Sequence, residues 1–315
     1  MTTHTGRPEV LGLGLACLDY VFRSDWAERG GQARVRDHAV SGGGLIGTAV
    51  VAAARLGAET AIWTWVGDDD EGRQVIAGLR EEGVDTNAVE ILPHARTAVS
   101  FVHVEEETGE RTIYHRPGLE VPSERAQAVG SRQLSCDVLL VDAVWPEASI
   151  IAARRAREAG IPVVGDFCPT DAADPLAGYT SHLIVPGACA ERIAPGASRG
   201  EQLRRLMDVC VAGDELLPYG AGPEFVCITA GPEGCHYLDG ASAAHQPAFP
   251  VEVVDTTGAG DVFHGAFGYA LACRWPIPRC VEFASAVAAL SCRALGGRAG
   301  IPNLAGACRV LGWEA

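Results

Sequence analysis

The chain has 315 residues and a formal net charge of −15, and 48% of its residues are hydrophobic. A protein of this size can bury a large core, but its acidity argues against sequence-independent binding to nucleic acid or anionic membranes. All 25 basic residues are arginine, which excludes sites that need lysine, such as a P-loop, a pyridoxal phosphate Schiff base or a protein kinase.

The cysteines and the first residues bear on the cellular compartment. Eleven cysteines are dispersed without a CxxC pair or zinc-type spacing, which is typical of buried free thiols. The first residues lack the basic and apolar segments of a signal peptide, and no apolar run is long enough to span a membrane. We therefore expect a cytoplasmic protein whose partners are small molecules, with no nucleic acid and no membrane among them.

Short strand-like runs alternate with helical runs along most of the chain. The predicted strands are 10–16, 60–67, 137–144 and 162–167, followed by HLIVPG and FVCITAG, and the predicted helices are 47–57, 71–83, 148–160 and EQLRRLMDVCVA. Such alternation predicts an α/β fold in which a mostly parallel central sheet lies between two layers of helices.

Two stretches, 17–40 and 97–118, interrupt this alternation and lack helical periodicity. In the second, SFVHVE and RTIYHR flank a turn at Thr108 and Gly109, which is the pattern of a β hairpin. A small β sheet projecting from the α/β core would accommodate both stretches and could serve as a lid. Because no linker or repeat is visible, we expect a single catalytic domain over 1–315.

The stretch VVDTTGAGDVFHGAF, residues 253–267, contains the clearest chemical signal. A strand-like run precedes it and an apolar helix follows, so Gly258, Ala259 and Gly260 fall at a helix N-terminus. Amides there have no intrahelical partner and attract negative charge, while glycine lets a ligand approach the backbone closely. Asp261 could then accept a proton from an attacking hydroxyl, although an aspartate at this position could equally be only a helix cap.

Two other groups of polar residues have ordinary structural interpretations. In GDDDEG, Asp69 and Asp70 fit a strand-to-helix turn with a cap, and the role of Asp68 is less defined. His264, inside the apolar helix, fits a packed histidine better than a ligand. GLGLAC is only a broken dinucleotide motif, because Cys17 takes the place of its third glycine.

Several segments in the same order resemble the PfkB-type carbohydrate kinases, the ribokinase-like family. DTTGAGDVF is similar to the C-terminal signature of that family, and VGDDDEGRQVIAGLREEGVDT to its first signature. LACLDY, SGGGLIGTAVVAAARLG, VCITAGPEGC and GGRAGIP resemble further motifs, so the likeness covers essentially the whole chain. The resemblance implies a three-layer α/β/α ribokinase-like fold with a small β-sheet lid.

The resemblance also implies roles for individual residues. Asp261 would be the catalytic base, and the backbone of Gly258, Ala259 and Gly260 would form the anion hole for the γ-phosphoryl group of ATP. The other implied residues are Asp19, Gly42, Gly43, Gly47, His115 and Arg116 for the sugar, Thr229, Gly231, Gly234 and Gly297 for the nucleotide, and Asp255 and Thr257 for a monovalent cation such as K⁺. Mg²⁺ would accompany the ATP phosphates, and the lid would form a homodimer contact.

The kind of sugar is less defined by the resemblance. The segment around the signature looks closest to sulfofructose kinases, which also resemble ketohexokinases. Gly47 stands where the family often has Asn, and Val144 where sulfofructose kinases carry an arginine that binds the sulfonate. A buried sulfonate without a cation would be costly. We therefore expect phosphorylation of a primary hydroxyl on a ketose-like sugar or sugar derivative; sulfofructose is less favoured.

Two alternatives to an ATP-dependent sugar kinase remain open. One is a nucleoside kinase of the same fold. The other is a non-catalytic sensor of sugars or nucleotides, although such a protein would have no need of a base at Asp261.

Overall fold

The computed structural model describes residues 6–169, 174–211 and 222–314. Within these residues eight strands form one sheet: β1 Glu9–Leu13, β4 Glu59–Trp63, β9 Val138–Asp142, β10 Val163–Asp166, β11 His182–Pro186, β12 Phe225–Thr229, β13 Cys235–Asp239 and β14 Ser242–Gln246. Their order across the sheet is β14-β13-β12-β11-β10-β9-β1-β4. The six strands from β4 to β12 in that order are parallel, and the last two are antiparallel. The predicted α/β class is confirmed.

Helices cover both faces of this sheet. They are α1 Leu45–Arg55, α2 Asp70–Glu81, α3 Ser123–Ala128, α4 Pro146–Glu158, α5 Pro175–Tyr179, α6 Gly187–Ile193, α7 Arg199–Val211, α8 Ala259–Ala272, α9 Ile277–Ser291 and α10 Leu304–Leu311. Because side chains alternate along a strand, Val10 packs towards α1, α8 and α9, while Leu11 and Leu13 pack towards α4 and α7. Two apolar cores thus lie on either side of the sheet, as in a three-layer α/β/α fold.

The two stretches outside the α/β alternation form a separate four-stranded sheet with the order β3-β2-β7-β8. Its strands are β2 Cys17–Ser24, β3 Asp37–Gly43, β7 Val99–Glu105 and β8 Arg111–Arg116. The predicted small sheet is therefore present. Its function as a lid, and the assignment of the whole chain to one domain, stay predictions.

Three details differ from the sequence prediction. The strand-like run before the 253–267 stretch is not a strand, because residues 247–258 lie in no strand or helix. The predicted strand 60–67 divides at Thr64 into β4 and β5 (Trp65–Gly67), and β5 pairs instead with β6 (Glu90–Leu92). The expectation that the cysteines are free thiols is wrong for Cys168 and Cys189, which form a disulfide with a Cα–Cα distance of 5.7 Å. Residues 168 and 189 are distant in sequence, so only the approach of the segment after β10 to α6 brings them together.

No helix among the described residues is long and apolar enough to cross a membrane.

The contact between α1 and α8 depends on a glycine. A Cβ at Gly265 would lie 2.1 Å from the carbonyl oxygen of Ala49 in α1, so the two helices approach with backbone against backbone. This approach fixes the axis of α8 relative to β1 and β9, and therefore the position of the N-terminus of α8.

We predict that Gly265→Ala lowers the free energy of unfolding by about 1–3 kcal/mol, because the added methyl group overpacks the helix contact. Gly78→Ala in α2 is the matched control, since a Cβ there meets nothing within 4 Å and alanine favours a helix by about 1 kcal/mol. Urea denaturation of both variants measures the difference. Equal or higher stability of Gly265→Ala would contradict the proposed close approach.

Candidate active site

The candidate site is built around the N-terminus of α8. Gly258 precedes the helix in a left-handed conformation with φ 73°, which a glycine adopts without strain. Among the hydrogen bonds of the described residues, none uses the amides of Gly258, Gly260 or Asp261, whereas the amide of Ala259 donates to the carbonyl of Thr256 at 3.3 Å. The free amides are therefore those of Gly258, Gly260 and Asp261. The sequence prediction that the amide of Ala259 also belongs to the anion hole is corrected, because this amide is already paired.

The carboxylate of Asp255 holds this turn against a second loop. Asp255 is buried, and its two oxygens accept hydrogen bonds of 2.8 Å from the amides of Thr257 and Gly296. A Cβ at Gly258 would lie 3.0 Å from the Cα of Gly297, so the turn and the 296–300 loop are in close contact. The predicted nucleotide residue Gly297 thus lies beside the predicted anion hole.

Asp261 lies in the first turn of α8, partly exposed and close to other ionisable groups. Burial is the largest cause of its pKa being well above the ordinary value, the carboxyl of Asp166 raises it further, and His264 opposes the shift. A base with a raised pKa is protonated near neutral pH more often than an ordinary aspartate, but it is also a stronger proton acceptor.

His264 is the packed histidine that the sequence indicated. Its Nδ1 is 2.8 Å from the carbonyl oxygen of Gly260 and 3.4 Å from Oδ2 of Asp166, and its Nε2 is 3.1 Å from the carbonyl oxygen of Ile184. Burial lowers the pKa of the imidazole, more than these hydrogen bonds raise it. The ring therefore connects the first turn of α8 to the end of β10 and the middle of β11.

Two carboxyl groups at the ends of adjacent strands were missed by the sequence analysis. β9 ends at Asp142 and β10 ends at Asp166, and burial raises the pKa of each to about 7. Asp142 accepts the amides of Leu15 at 2.7 Å and Val144 at 3.0 Å, so it organises the loop after β1. The available signal was an acid at the carboxyl end of each buried strand, where open α/β sheets bind ligands.

Three of the six predicted sugar residues, Asp19, Gly43 and His115, lie on one face of the small sheet, whereas Gly42 lies on the opposite face and Gly47 in α1. The strand register aligns Ser41, Asp19, Ser100 and His115 in a row across its four strands. Burial raises the pKa of Asp19, which accepts a hydrogen bond from the thiol of Cys17 at 3.2 Å. A Cβ at Gly43 would lie 2.0 Å from Oδ2 of Asp19, so this glycine makes room for the carboxylate.

Arg116 does not join this row. It follows His115 on β8 and therefore points to the opposite face of the sheet. Its guanidinium donates to the carbonyl of Thr97 at 3.0 Å and lies 3.5 Å from Glu71, so the structure does not bring it to Asp19.

Residues of the first signature have a structural role. Asp69 caps α2 by accepting the amide of Gly72 at 2.9 Å, and it also accepts the amide of Thr97 at 2.9 Å. The cap interpretation of Asp69 is confirmed, and the cap fixes α2 beside the base of β7.

The predicted nucleotide residues lie at the end of β12. Thr229 is the last residue of that strand, Gly231 begins a 3-10 turn with φ 55°, and Gly234 has φ 89°. A Cβ at Gly234 would lie 2.1 Å from the carbonyl oxygen of Gln246, so the turn packs tightly on the segment after β14. These residues share the carboxyl edge of the sheet with the ends of β9 and β10.

The hairpin between β7 and β8 contacts the signature segment directly. The amide of Thr256 donates to the carbonyl of Gly109 at 3.3 Å, and Arg111 donates to Oγ1 of Thr256 at 3.1 Å. Arg111 also lowers the pKa of Asp261 through its charge. The β7–β8 hairpin of the small sheet, which carries the predicted sugar residue His115, therefore contacts the segment just before α8.

With this geometry established, comparison with known proteins identifies the family. The family model for pfkB family carbohydrate kinases matches residues 7–304. The chain belongs to this family. Its members are phosphotransferases that act on an alcohol group of a sugar, so this chain is an enzyme and not the non-catalytic sensor considered above.

Relatives and solved structures agree with this assignment. The chain is 29% identical to the ribokinase of Schizosaccharomyces pombe over 94% of this chain and 95% of the relative. It is 29% identical to the ribokinase of Bacillus subtilis over 92% and 95%, respectively. The structure of Arabidopsis thaliana ribokinase complexed with ribose and ATP has the same fold, with a TM-score of 0.79 at 20% identity, covering 98% of this chain and all of that one.

We predict that Gly109→Val loosens the hairpin from the signature segment. Gly109 has φ 69°, and a Cβ there would lie 3.0 Å from the side chain of Val253. Hydrogen exchange at the amide of Thr256 should become faster, because this amide donates to Gly109. Gly30→Val is the control, since Gly30 also has a positive φ but a Cβ there meets nothing within 4 Å. Unchanged exchange at Thr256 would show that the contact does not hold the hairpin.

Proposed function

We propose that this carbohydrate kinase transfers the γ-phosphoryl group of ATP to the primary hydroxyl of a ribose-like sugar. The observation that carries the proposal is the set of unpaired amides at Gly258 and Gly260 next to the partly buried carboxyl of Asp261. Such amides stabilise the charge that develops on a transferring phosphoryl group, and a water-poor site strengthens the effect.

In the proposed reaction, Asp261 removes the proton from the sugar hydroxyl as its oxygen forms a bond to the γ-phosphorus. The bond between that phosphorus and the β,γ-bridging oxygen breaks, and ADP leaves. The free amides of Gly258 and Gly260 would face the γ-phosphoryl group, and the side chains of Asp19 and His115 would orient the sugar. Catalysis by positioning and electrostatics is sufficient for phosphoryl transfer.

The residues present agree with metal ions that accompany the phosphates. Mg²⁺ would be bound through ATP oxygens and water, because magnesium keeps several of its waters and binds together with substrate phosphates. Thr257 has a buried Oγ1 without a hydrogen-bond partner. Asp255 and Thr257 therefore remain our proposed ligands for a monovalent cation, with the Asp255 carboxylate already shared by two amides.

The substrate class is where our proposal departs from the sequence expectation of a ketose. That expectation depended on a likeness to the sulfofructose kinase branch, whereas the relatives reported above are named ribokinases. Val144, at the position of the sulfonate-binding arginine, is 42% exposed and offers no charge. We therefore favour a ribose-like sugar over a ketose.

A nucleoside is the second candidate, and one observation favours it. A cavity of about 560 Å³ is lined by Ala16 and by the predicted sugar residue His115, and it offers more room than a pentose needs. Its walls are mostly apolar and include Trp65 and Trp145, whose rings meet edge to face at 5.1 Å. Such a wall could hold a base attached to the ribose.

We also propose a homodimer formed through the small sheet. The register places Val40, Tyr20, Phe101 and Tyr114 in a row on the face opposite Asp19. Val40, Phe101 and Tyr114 are each 45–56% exposed, which is unusual for a row of large apolar side chains. Light scattering on the protein in solution tests this assembly, and a monomer at all concentrations would exclude it.

The substrate is tested by measuring ADP release with ATP, Mg²⁺ and a panel of acceptors. We expect ribose to be turned over with a higher kcat/KM than fructose or sulfofructose. A higher kcat/KM for a purine or pyrimidine nucleoside than for ribose would select the second candidate. Turnover of no sugar and no nucleoside would contradict the proposed function.

We predict that Asp261→Asn retains ATP binding but loses about 10²–10⁴-fold in kcat, because the amide cannot accept the proton. Calorimetry measures ATP binding, and a steady-state assay measures kcat. Asp137→Asn, on the surface segment before β9, serves as the control for a lost carboxylate remote from the site. Near-normal kcat in Asp261→Asn would remove the base assignment.

We predict that kcat/KM falls on acidification at a pH well above the ordinary pKa of aspartate. The pKa of Asp261 is raised by burial and by Asp166, so its base form is lost as the pH drops through this raised value. Asp166→Asn removes a negative charge that raises this pKa, and should move the acidic limb to lower pH. A pH–rate profile of both proteins measures the shift; an unmoved limb would contradict the coupling.

A further inference from the structure

The side chain of Arg298 is buried against the sugar-binding glycines. Arg298 belongs to the GGRAGIP loop, in which only Gly297 is predicted from the sequence to have a role. It is 5% exposed, and its Nη2 donates to the carbonyl of Gly43 at 2.9 Å. A loop that contacts the N-terminus of α8 therefore also reaches the end of β3.

Glycines on two different elements make room for this guanidinium. A Cβ at Gly42, in β3, would lie 2.0 Å from Nη1 of Arg298, and a Cβ at Gly47, in α1, would lie 2.8 Å from Nη2. A larger side chain at position 47 and the guanidinium of Arg298 would therefore compete for the same space. The guanidinium of Arg298 thus occupies the space that a side chain at position 47 would fill.

The guanidinium is incompletely paired. Its Nε is buried without a hydrogen-bond partner, and no carboxylate lies within 4.0 Å of it in the described part of the chain. Burial lowers the pKa of Arg298 to about 10, while Cys17 and Asp19 act in the opposite direction. A buried charge without a close partner is costly, so oxygen atoms of a ligand would stabilise it.

The carboxylate of Asp19 packs against Gly43, the residue after Gly42. Its Oδ2 fills the space that a Cβ at Gly43 would take, as the guanidinium does at Gly42. One buried group accepts hydrogen bonds and the other donates them, and their charges cancel. A neutral polyol suits this pair, because each hydroxyl both donates and accepts, whereas an anionic group would be repelled by Asp19.

We propose that Arg298 is a specificity-determining residue that donates hydrogen bonds to hydroxyl oxygens of a neutral sugar, in the space that a side chain at position 47 would otherwise occupy. This inference rests on the proposed sugar kinase function of the same site. It adds a substrate contact from the C-terminal loop to those of Asp19 and His115, and it accounts for glycine at positions 42 and 47 together.

A purely structural role for Arg298 is the competing explanation. The backbone carbonyl of Arg298 accepts a hydrogen bond of 2.6 Å from Arg55, which also donates to the carbonyl of Ile301 at 3.1 Å. These bonds hold the loop without involving the guanidinium of Arg298. Arg55→Gln is therefore a matched control, since it weakens the anchoring of the loop and leaves the proposed sugar contact in place.

The first experiment measures sugar and ATP kinetics of Arg298→Gln. Loss of hydrogen bonds from a charged donor should raise the KM for ribose about tenfold to hundredfold and leave the KM for ATP within about twofold. Thermal unfolding checks that the variant is folded. In Arg55→Gln the KM for ribose should stay near the wild-type value. An unchanged KM for ribose in folded Arg298→Gln overturns the proposal.

The second experiment tests whether the side chains at positions 47 and 298 compete for the same space. Gly47→Asn alone should lose sugar affinity, because its side chain meets the guanidinium, and Arg298→Ala alone should lose it because the donor is gone. The double variant Gly47→Asn/Arg298→Ala should recover part of the affinity, since the Asn amide can enter the vacated space. Losses that simply add in the double variant overturn the proposed shared space.

Binding of deoxyriboses identifies the sugar hydroxyl that Arg298 contacts. It also distinguishes failure of the Arg298 proposal from failure of the proposed sugar kinase function. Calorimetry without ATP should show that removal of one particular ribose hydroxyl weakens binding to the wild type but not to Arg298→Ala. Equal losses for every deoxyribose in both proteins overturn the role of Arg298. A wild-type protein that neither binds nor phosphorylates any sugar contradicts the proposed function instead.

Discussion

The site depends on the two hydrogen bonds that the buried carboxylate of Asp255 accepts from Thr257 and Gly296. They join the turn before α8 to the loop after α9, two segments separated by a pair of buried helices. Because the turn is held by a side chain, the backbone amides of Gly258 and Gly260 stay unpaired at a helix N-terminus. Unpaired amides at a helix N-terminus attract negative charge, and these form the anion site that we propose.

The same loop connects this anion site to the sugar residues. Gly297 packs on Gly258, while the next residue, Arg298, extends to Gly43 at the end of β3. From the other side, the hairpin of the small sheet reaches Thr256 through Gly109 and Arg111. The proposed phosphate and sugar sites are therefore held by contacts between the same segments.

Burial of several ionisable groups gives the site its chemical character. Asp142, Asp166, Asp261 and His264 lie at the carboxyl edge of the sheet, where burial disfavours the charged form of each. Such clusters are unfavourable for folding and persist where function requires them. The large apolar cores on both faces of the sheet offset this cost.

The sequence alone determined the α/β fold, the small β sheet and the capping role of Asp69, because hydrophobic periodicity and turn residues are local signals. It also placed glycines before an aspartate at the start of α8. It could not show that Ala259 gives its amide to Thr256, that Arg116 points away from Asp19, or that Cys168 meets Cys189. The position of Arg298 against Gly42 and Gly47 was equally inaccessible. These outcomes depend on contacts between residues far apart in the chain, and only tertiary packing decides which of them share space.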